Sequence, residues 1–273
     1  MLAIHSPEVI LDATQIPYAT ADEAFTLLRT ELERFLALVE TLNPDDWAKP
    51  TACTEWTVRD MLAHQAGGYA SGTGYKELFR QYARKPKAGQ LPEDAVNEFQ
   101  LAERKGKLPV ELINELRQVG PIASQKWAHQ FRLFKLVHIP HPLGLLSMRH
   151  LMWVIHSRDT WMHRLDICRA TGRTFEQTTG HDGRIGALVM RDVAKTVSKK
   201  LKGQAVVFDL SGVAGGVWKV GAAATQATIH MDALDFNIYA SGRYSYAEAR
   251  AKASLSGNVE LAELALQNTV ALY

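Results

Sequence analysis

The alternation of apolar and polar residues along the chain predicts a series of long helices followed by a strand-containing C-terminal region. Residues 1–18 read as an extended leader. From Ala19 to Leu42 the apolar positions Phe25, Leu28, Leu32, Phe35, Leu36, Val39 and Leu42 recur at helical spacing. Glu23, Arg29, Glu31, Glu33, Arg34 and Glu40 take the other side, as on a one-sided bundle helix that ends at Asn43-Pro44. A loop follows through Trp47–Glu55. Thr57 is placed to cap a helix, with Asp60 returning the bond and Trp56 and Met61 flanking as a hydrophobic staple. That helix carries Val58, Met61, Leu62 and Gln65 on one face and His64 at its edge. The small residues Ala66-Gly67-Gly68 then let a helix or ligand come close. Tyr69–Arg84 reads as a continuation. Residues 84–107 are polar with two prolines and read as a loop with a solvated surface. A further helix is predicted from Pro109 to Val137 through Leu112, Leu116, Val119, Ile122, Trp127 and Phe131, with Pro121 as a kink. His138–Gly144 is a turn-rich connector.

Leu151–Gly172 is the most apolar helix, yet it carries a polar stripe. His156, Asp159, His163 and Asp166 recur at i, i+3, i+7 and i+10 and share one narrow arc. Burying ionisable groups is costly unless they are paired or bound to a metal. Asp159 and His163 are one turn apart, a geometry that suits two ligands of one divalent ion and equally an Asp–His⁺ pair on a partly wet face. A metal needs a third ligand from another element. The four-helix pattern over 19–172 offers His64, which otherwise reads as a hydrogen-bonded residue at the core edge. His156 reads as a proton shuttle, a further ligand or a hydrogen-bonded core histidine.

Beyond residue 180 the pattern changes. Residues 183–200 predict a helix with Arg191, Lys195, Lys199 and Lys200 on its outer face. Short strand-like runs follow at 204–210, 217–220 and 227–230, with a hairpin at Gly212, Gly215 and Gly216. Helices at 233–240 and 259–268 complete a small α+β unit. The expected class is α+β, divided into residues 1–178 and 179–273. With 273 residues, 47% hydrophobic and 22% charged, the composition is that of an ordinary globular chain. A net charge of +2 gives no footprint for nucleic acid. Cys53 and Cys168 make no disulfide framework, and Cys168 reads as an apolar filler. No signal peptide or membrane span is visible, so a cytoplasmic location is the expectation.

The segments WTVRDMLAHQAGG (56–68) and RDTWMHRLDICRATG (158–172), with CTEW before the first, resemble the signature stretches of the mycothiol-dependent maleylpyruvate isomerase family, within the DinB-like bundle superfamily. The run FDLSG…GGVWKVG…ATIHMDALDFNIYASGR…SLSGN is similar to that family's sterol-carrier-protein-like C-terminal domain. The resemblance covers nearly the whole chain apart from 84–107. It implies a DinB-like four-helix bundle followed by a sterol-carrier-like domain. It also implies a divalent metal, usually zinc, held by His64, Asp159 and His163. Asp159 stands where the best-known members carry the longer Glu. Asp166 is read as the acid behind His163. Arg243, in Ser241-Gly242-Arg243, matches an arginine implicated in activity. A guanidinium there suits a carboxylate and equally a helix C-terminus.

The chemistry implied is thiol-dependent. The expectation is an isomerase or S-transferase that uses a low-molecular-weight thiol of the mycothiol type as cosubstrate on a small electrophilic substrate. A metal-dependent hydrolase on the same bundle and a non-catalytic small-molecule or partner-binding protein are the alternatives. One carboxylate and two imidazoles accept Zn, Ni, Fe or Mn.

Overall fold

In the computed structural model, which describes residues 10–130, 136–141 and 144–273, the chain is mixed α+β. Residues 1–9 of the leader, Phe131 of the expected third helix and the connector's Pro142-Leu143 lie outside the described residues. The chain forms two compact units, Ala19–Phe175 and the leader up to Tyr18 together with Glu176–Tyr273. The expected division at 178/179 leaves the leader with the bundle. In the structure β1 (Leu11–Asp12) pairs in parallel with Trp218–Lys219 of the C-terminal sheet instead.

In the first unit, α1 (Ala21–Val39) begins with a capping box. Thr20 accepts from the Glu23 N–H at 3.2 Å, and the Glu23 carboxylate accepts from the Thr20 N–H at 3.4 Å. Leu28, Leu32, Phe35 and Val39 enter the core as the spacing predicts. Glu31 does not stay outside. It is fully buried, with both oxygens accepting from Arg164 at 3.0 and 3.2 Å. α2 (Val58–Ser71) opens on the predicted Thr57–Asp60 box and continues through both glycines. It stops at Gly72, and α3 (Tyr75–Tyr82) follows as a separate helix.

The stretch 84–107 is not the loop its composition predicts. Half of it is α4 (Pro92–Arg104), with proline in the first turn and Asp94 accepting from the Leu91 N–H at 3.1 Å. Its inner face is Ala95, Val96, Gln100 and Arg104. Two of these four side chains are polar, so hydropathy alone hides the helix. A Cβ at Gly67 would lie 2.7 Å from Gln100 Cβ, so the glycine is what lets α4 lie directly on α2.

α5 (Pro109–Gln125) carries Leu112 and Leu116 into the core, keeps Pro121 inside it, and passes into a π turn at Lys126–Gln130. Ile122, expected inward, is exposed. The connector is a hairpin of β2 (His138–His141) and β3 (Gly144–Ser147). The apolar helix starts earlier than predicted, as α6 (Met148–His150), a π turn at Leu151–Ile155 and α7 (His156–Thr171). Gly172 closes it in the left-handed region at φ 72°. The bundle is built from α1, α2, α5 and α7: α1 lies against α5 and α7, and α2 does the same.

In the second unit, α8 (Asp182–Lys200) precedes β4 (Ala205–Ser211), β5 (Gly216–Val220) and β6 (Thr225–Asp232). Then come α9 (Ala233–Ala240), α10 (Tyr246–Lys252), β7 (Ser254–Gly257) and α11 (Val259–Gln267). The sheet order is β1-β5-β4-β6-β7, with β4 antiparallel to β5 and parallel to β6. Arg191, expected on a solvated face, holds the leader: its guanidinium donates to Thr14 O at 3.0 Å and to Ile16 O, and lies 3.6 Å over the Tyr18 ring. Among the described residues no helix is long and apolar enough to cross a membrane.

Candidate metal centre

α2 and α7 lie side by side in the bundle, and each turns its polar edge to the other. His64, Asp159 and His163 offer ligand atoms that all lie within 4.8 Å of one another. Asp159 sits between the two imidazoles. Its Oδ2 is 3.3 Å from His64 Nε2 and its Oδ1 is 3.2 Å from His163 Nε2. Ligands of a tetrahedral zinc, each about 2.0–2.2 Å from the ion, are themselves roughly 3.3–3.6 Å apart. The two distances end on different oxygens of Asp159, so the three donors, all within 4.8 Å, stand somewhat wider than around a bound ion, and it is their chemistry that fits one divalent ion. Both histidines are buried, while the Asp159 side chain keeps 22% of its exposure, so the cluster opens on the carboxylate side.

The electrostatics are those of a carboxylate paired with its neighbouring imidazoles. Burial opposes ionisation of Asp159, but His163 and His64 outweigh it and hold the carboxyl well below its usual range. Burial likewise opposes charge on His163, yet Asp159, with hydrogen bonds to Asp159, Asp166 and Cys53, holds it well above its ordinary value.

Each of the three groups is backed by a neighbour. Asp166, fully buried, accepts from His163 Nδ1 at 3.3 Å, which leaves Nε2 for the cluster. Gln65 Nε2 donates to Asp159 Oδ2 at 2.5 Å, and the Gln65 oxygen accepts from Thr160 at 2.8 Å. Gln100 Oε1 lies 2.9 Å from His64 Nδ1. Trp56 forms a wall, its ring 4.9 Å from that of His64 and 5.7 Å from that of His163. It is set there by the loop before α2: the Trp56 N–H donates to Cys53 O at 2.8 Å, and Thr51 Oγ1 donates to Trp56 O at 2.8 Å. The same loop brings Cys53 into a second donor group with His163 and Asp166.

Of the predicted residues, His64, Asp159, His163 and Asp166 come together. His156 does not join them: its ring stacks on Trp127 at 3.9 Å, and burial pushes its pKa down to about 4. Arg243 belongs to the second unit, on the turn after α9 where Gly242 takes φ 80°. Sequence reasoning passed over Gln100, because its helix was not seen, and over Cys53 and the wall made by Trp56. Pro92 followed by the acidic first turn Glu93-Asp94, with Arg104 in the last turn, is a sequence signal that marked α4.

The first unit is thus a helical bundle with an inward-facing His/Asp/His cluster. Residues 28–168 match the family described as the mycothiol maleylpyruvate isomerase N-terminal domain, and the chain belongs to that family. Two solved structures, of the mycothiol-dependent maleylpyruvate isomerase and of a variant with one histidine replaced by alanine, are similar at 17% and 16% identity. Each alignment covers 87% of this chain and 93% of the other, with a TM-score of 0.55. At that identity the likeness speaks for the fold. No curated protein matches the chain.

Proposed function

We propose that this chain is a divalent-metal-dependent enzyme that uses a low-molecular-weight thiol, of the mycothiol type, to isomerise a small electrophile or to transfer the thiol to it. The observation that supports the reading most is the convergence of His64, Asp159 and His163, from two helices, with their donor atoms within 4.8 Å. An ion held there with a free position would lower the pKa of a thiol and so supply a nucleophile at neutral pH. Zinc suits the donors best, and Ni, Fe or Mn would also be accepted.

The chain's own residues would do the rest. Asp166 keeps a proton on His163 Nδ1 and so fixes which nitrogen faces the ion. Gln65 holds Asp159 in place. Trp56 shields one side from water and lowers the local dielectric. In the isomerisation the thiolate adds to an activated C=C, the former double bond rotates, and the thiolate leaves with no net gain of atoms. Arg243 is the residue we assign to recognition of a substrate carboxylate. With a pKa near 4, His156 is a weak base at neutral pH, and we read it as a packing group before a proton shuttle.

The test is metal analysis of the purified protein and of His64→Ala, followed by an assay on maleylpyruvate with and without added thiol. The expected result is one divalent ion per chain, lost in the variant, and turnover only with thiol. A wild-type protein that takes up no divalent ion ends the proposal. Turnover that ignores thiol points instead to hydrolysis by metal-bound water.

A further inference from the structure

The hydrogen bonds behind His64 form a chain whose direction is fixed at its far end. Arg80 grips Glu77 with two bonds of 2.7 Å, so Glu77 is a carboxylate and only accepts. Gln81 Nε2 donates to that carboxylate at 2.8 Å and to the Gly67 carbonyl at 3.0 Å. Neither acceptor has a proton to give, so the Gln81 nitrogen must face them and its oxygen must face away. That oxygen accepts from Gln100 Nε2 at 2.8 Å. The Gln100 amide is thereby set as well, and its oxygen is turned to His64 Nδ1 at 2.9 Å. An oxygen that only accepts requires an N–H opposite it; the Asp159 carboxylate, 3.3 Å from Nε2, asks for a proton there too in the metal-free protein, and it is that proton, not the one on Nδ1, that an ion would displace. Gln81, Gln100 and His64 are all buried, so water cannot easily replace a missing partner.

We propose that Gln81 and Gln100 act as a proton-ordering clip that keeps His64 in its Nδ1–H form, so that Nε2 is the nitrogen offered to a metal ion. Gln100 is then a positioning residue for the ligand, and Gln81 acts on the site without touching it. The proposal rests on the metal-site reading for its purpose but not for its test. A backing hydrogen bond of this kind commonly changes metal affinity by about 10–100-fold.

The experiment uses the full chain and Zn²⁺ alone. Zinc affinity is measured by competition with a chromophoric chelator for the wild type, His64→Ala, Gln100→Met and Gln81→Met. The ¹⁵N spectrum of the histidine side chains is recorded with and without zinc. The expected result is tight zinc uptake lost in H64A, a drop of about 10–100-fold in Gln100→Met and a smaller drop in Gln81→Met. A His64 Nδ1–H signal should be present in the wild type in both states and perturbed in both glutamine variants. The clip is overturned if Gln100→Met binds zinc as tightly as the wild type while H64A does not. It is also overturned if the wild-type spectrum shows His64 Nδ1 without its proton. Should no protein bind zinc, the metal reading falls, and the metal-free spectrum still decides the clip. If Gln100→Met does not fold, Gln81→Met and the wild-type spectrum decide it.

Discussion

At the scale of single residues, the most legible feature was the pair Asp159 and His163. Their four-residue spacing on one helix guarantees that they meet, and they do at 3.2 Å. The Thr57–Asp60 box was legible for the same reason, because its partners are three residues apart. Glu31 was not: its partner Arg164 lies 133 residues further along, and nothing in the local pattern says that a glutamate in a polar row turns inward. His156 gives a prediction at this scale. Its folded pKa of about 4 lies below the ordinary 6.5, so the unfolded chain binds the extra proton first as the pH falls. Its contribution is complete above about pH 6.5 and declines toward pH 4, by up to about 3 kcal/mol. In metal-free protein, urea midpoints should fall across that window, and His156→Phe, which keeps a ring against Trp127, should flatten the slope. An unchanged slope in His156→Phe would show that another group titrates there.

At the scale of elements, the instructive case is α4. Helix periodicity is read from apolar residues, and the inner face of α4 is half polar because it meets the buried amide of Gln81 and the edge of His64 rather than a hydrocarbon core. Its seat depends on one atom that α2 lacks. A Cβ at Gly67 would meet Gln100 at 2.7 Å, whereas a Cβ at Gly68 meets nothing within 4 Å. Gly67→Ala should therefore destabilise the protein by about 1–3 kcal/mol through overpacking. Gly68→Ala should stabilise it by up to about 1 kcal/mol through helix propensity. Denaturant unfolding of the two variants checks this, and equal midpoints would mean that α4 is not seated as described. The π turn at Leu151–Ile155 was invisible for a different reason: its five residues are as apolar as an ordinary buried turn.

At the scale of the whole molecule, the strand–helix alternation after residue 180 was legible, and α9 spans the 233–240 predicted for it. The partnership of the leader was not, since β1 pairs with a strand more than two hundred residues away. The leader buries Ala13 and Ile16, and Arg191 donates to two of its carbonyls. A chain lacking residues 1–18 should lose stability in the C-terminal unit, expose β5 as an edge strand and associate more readily. Scanning calorimetry and light scattering would show this. The bundle should meanwhile take up zinc as the intact chain does, and a truncated chain with an unaltered melting profile would contradict the role given to the leader.

The indole of Trp56, 4.9 Å from the His64 ring, makes the loop before α2 an internal optical reporter. Filling the cluster with paramagnetic Co²⁺ should darken part of the tryptophan emission, whereas closed-shell Zn²⁺ should leave most of it. Replacing that indole by phenylalanine should erase the difference between the two ions, so occupancy becomes readable from emission alone, without substrate.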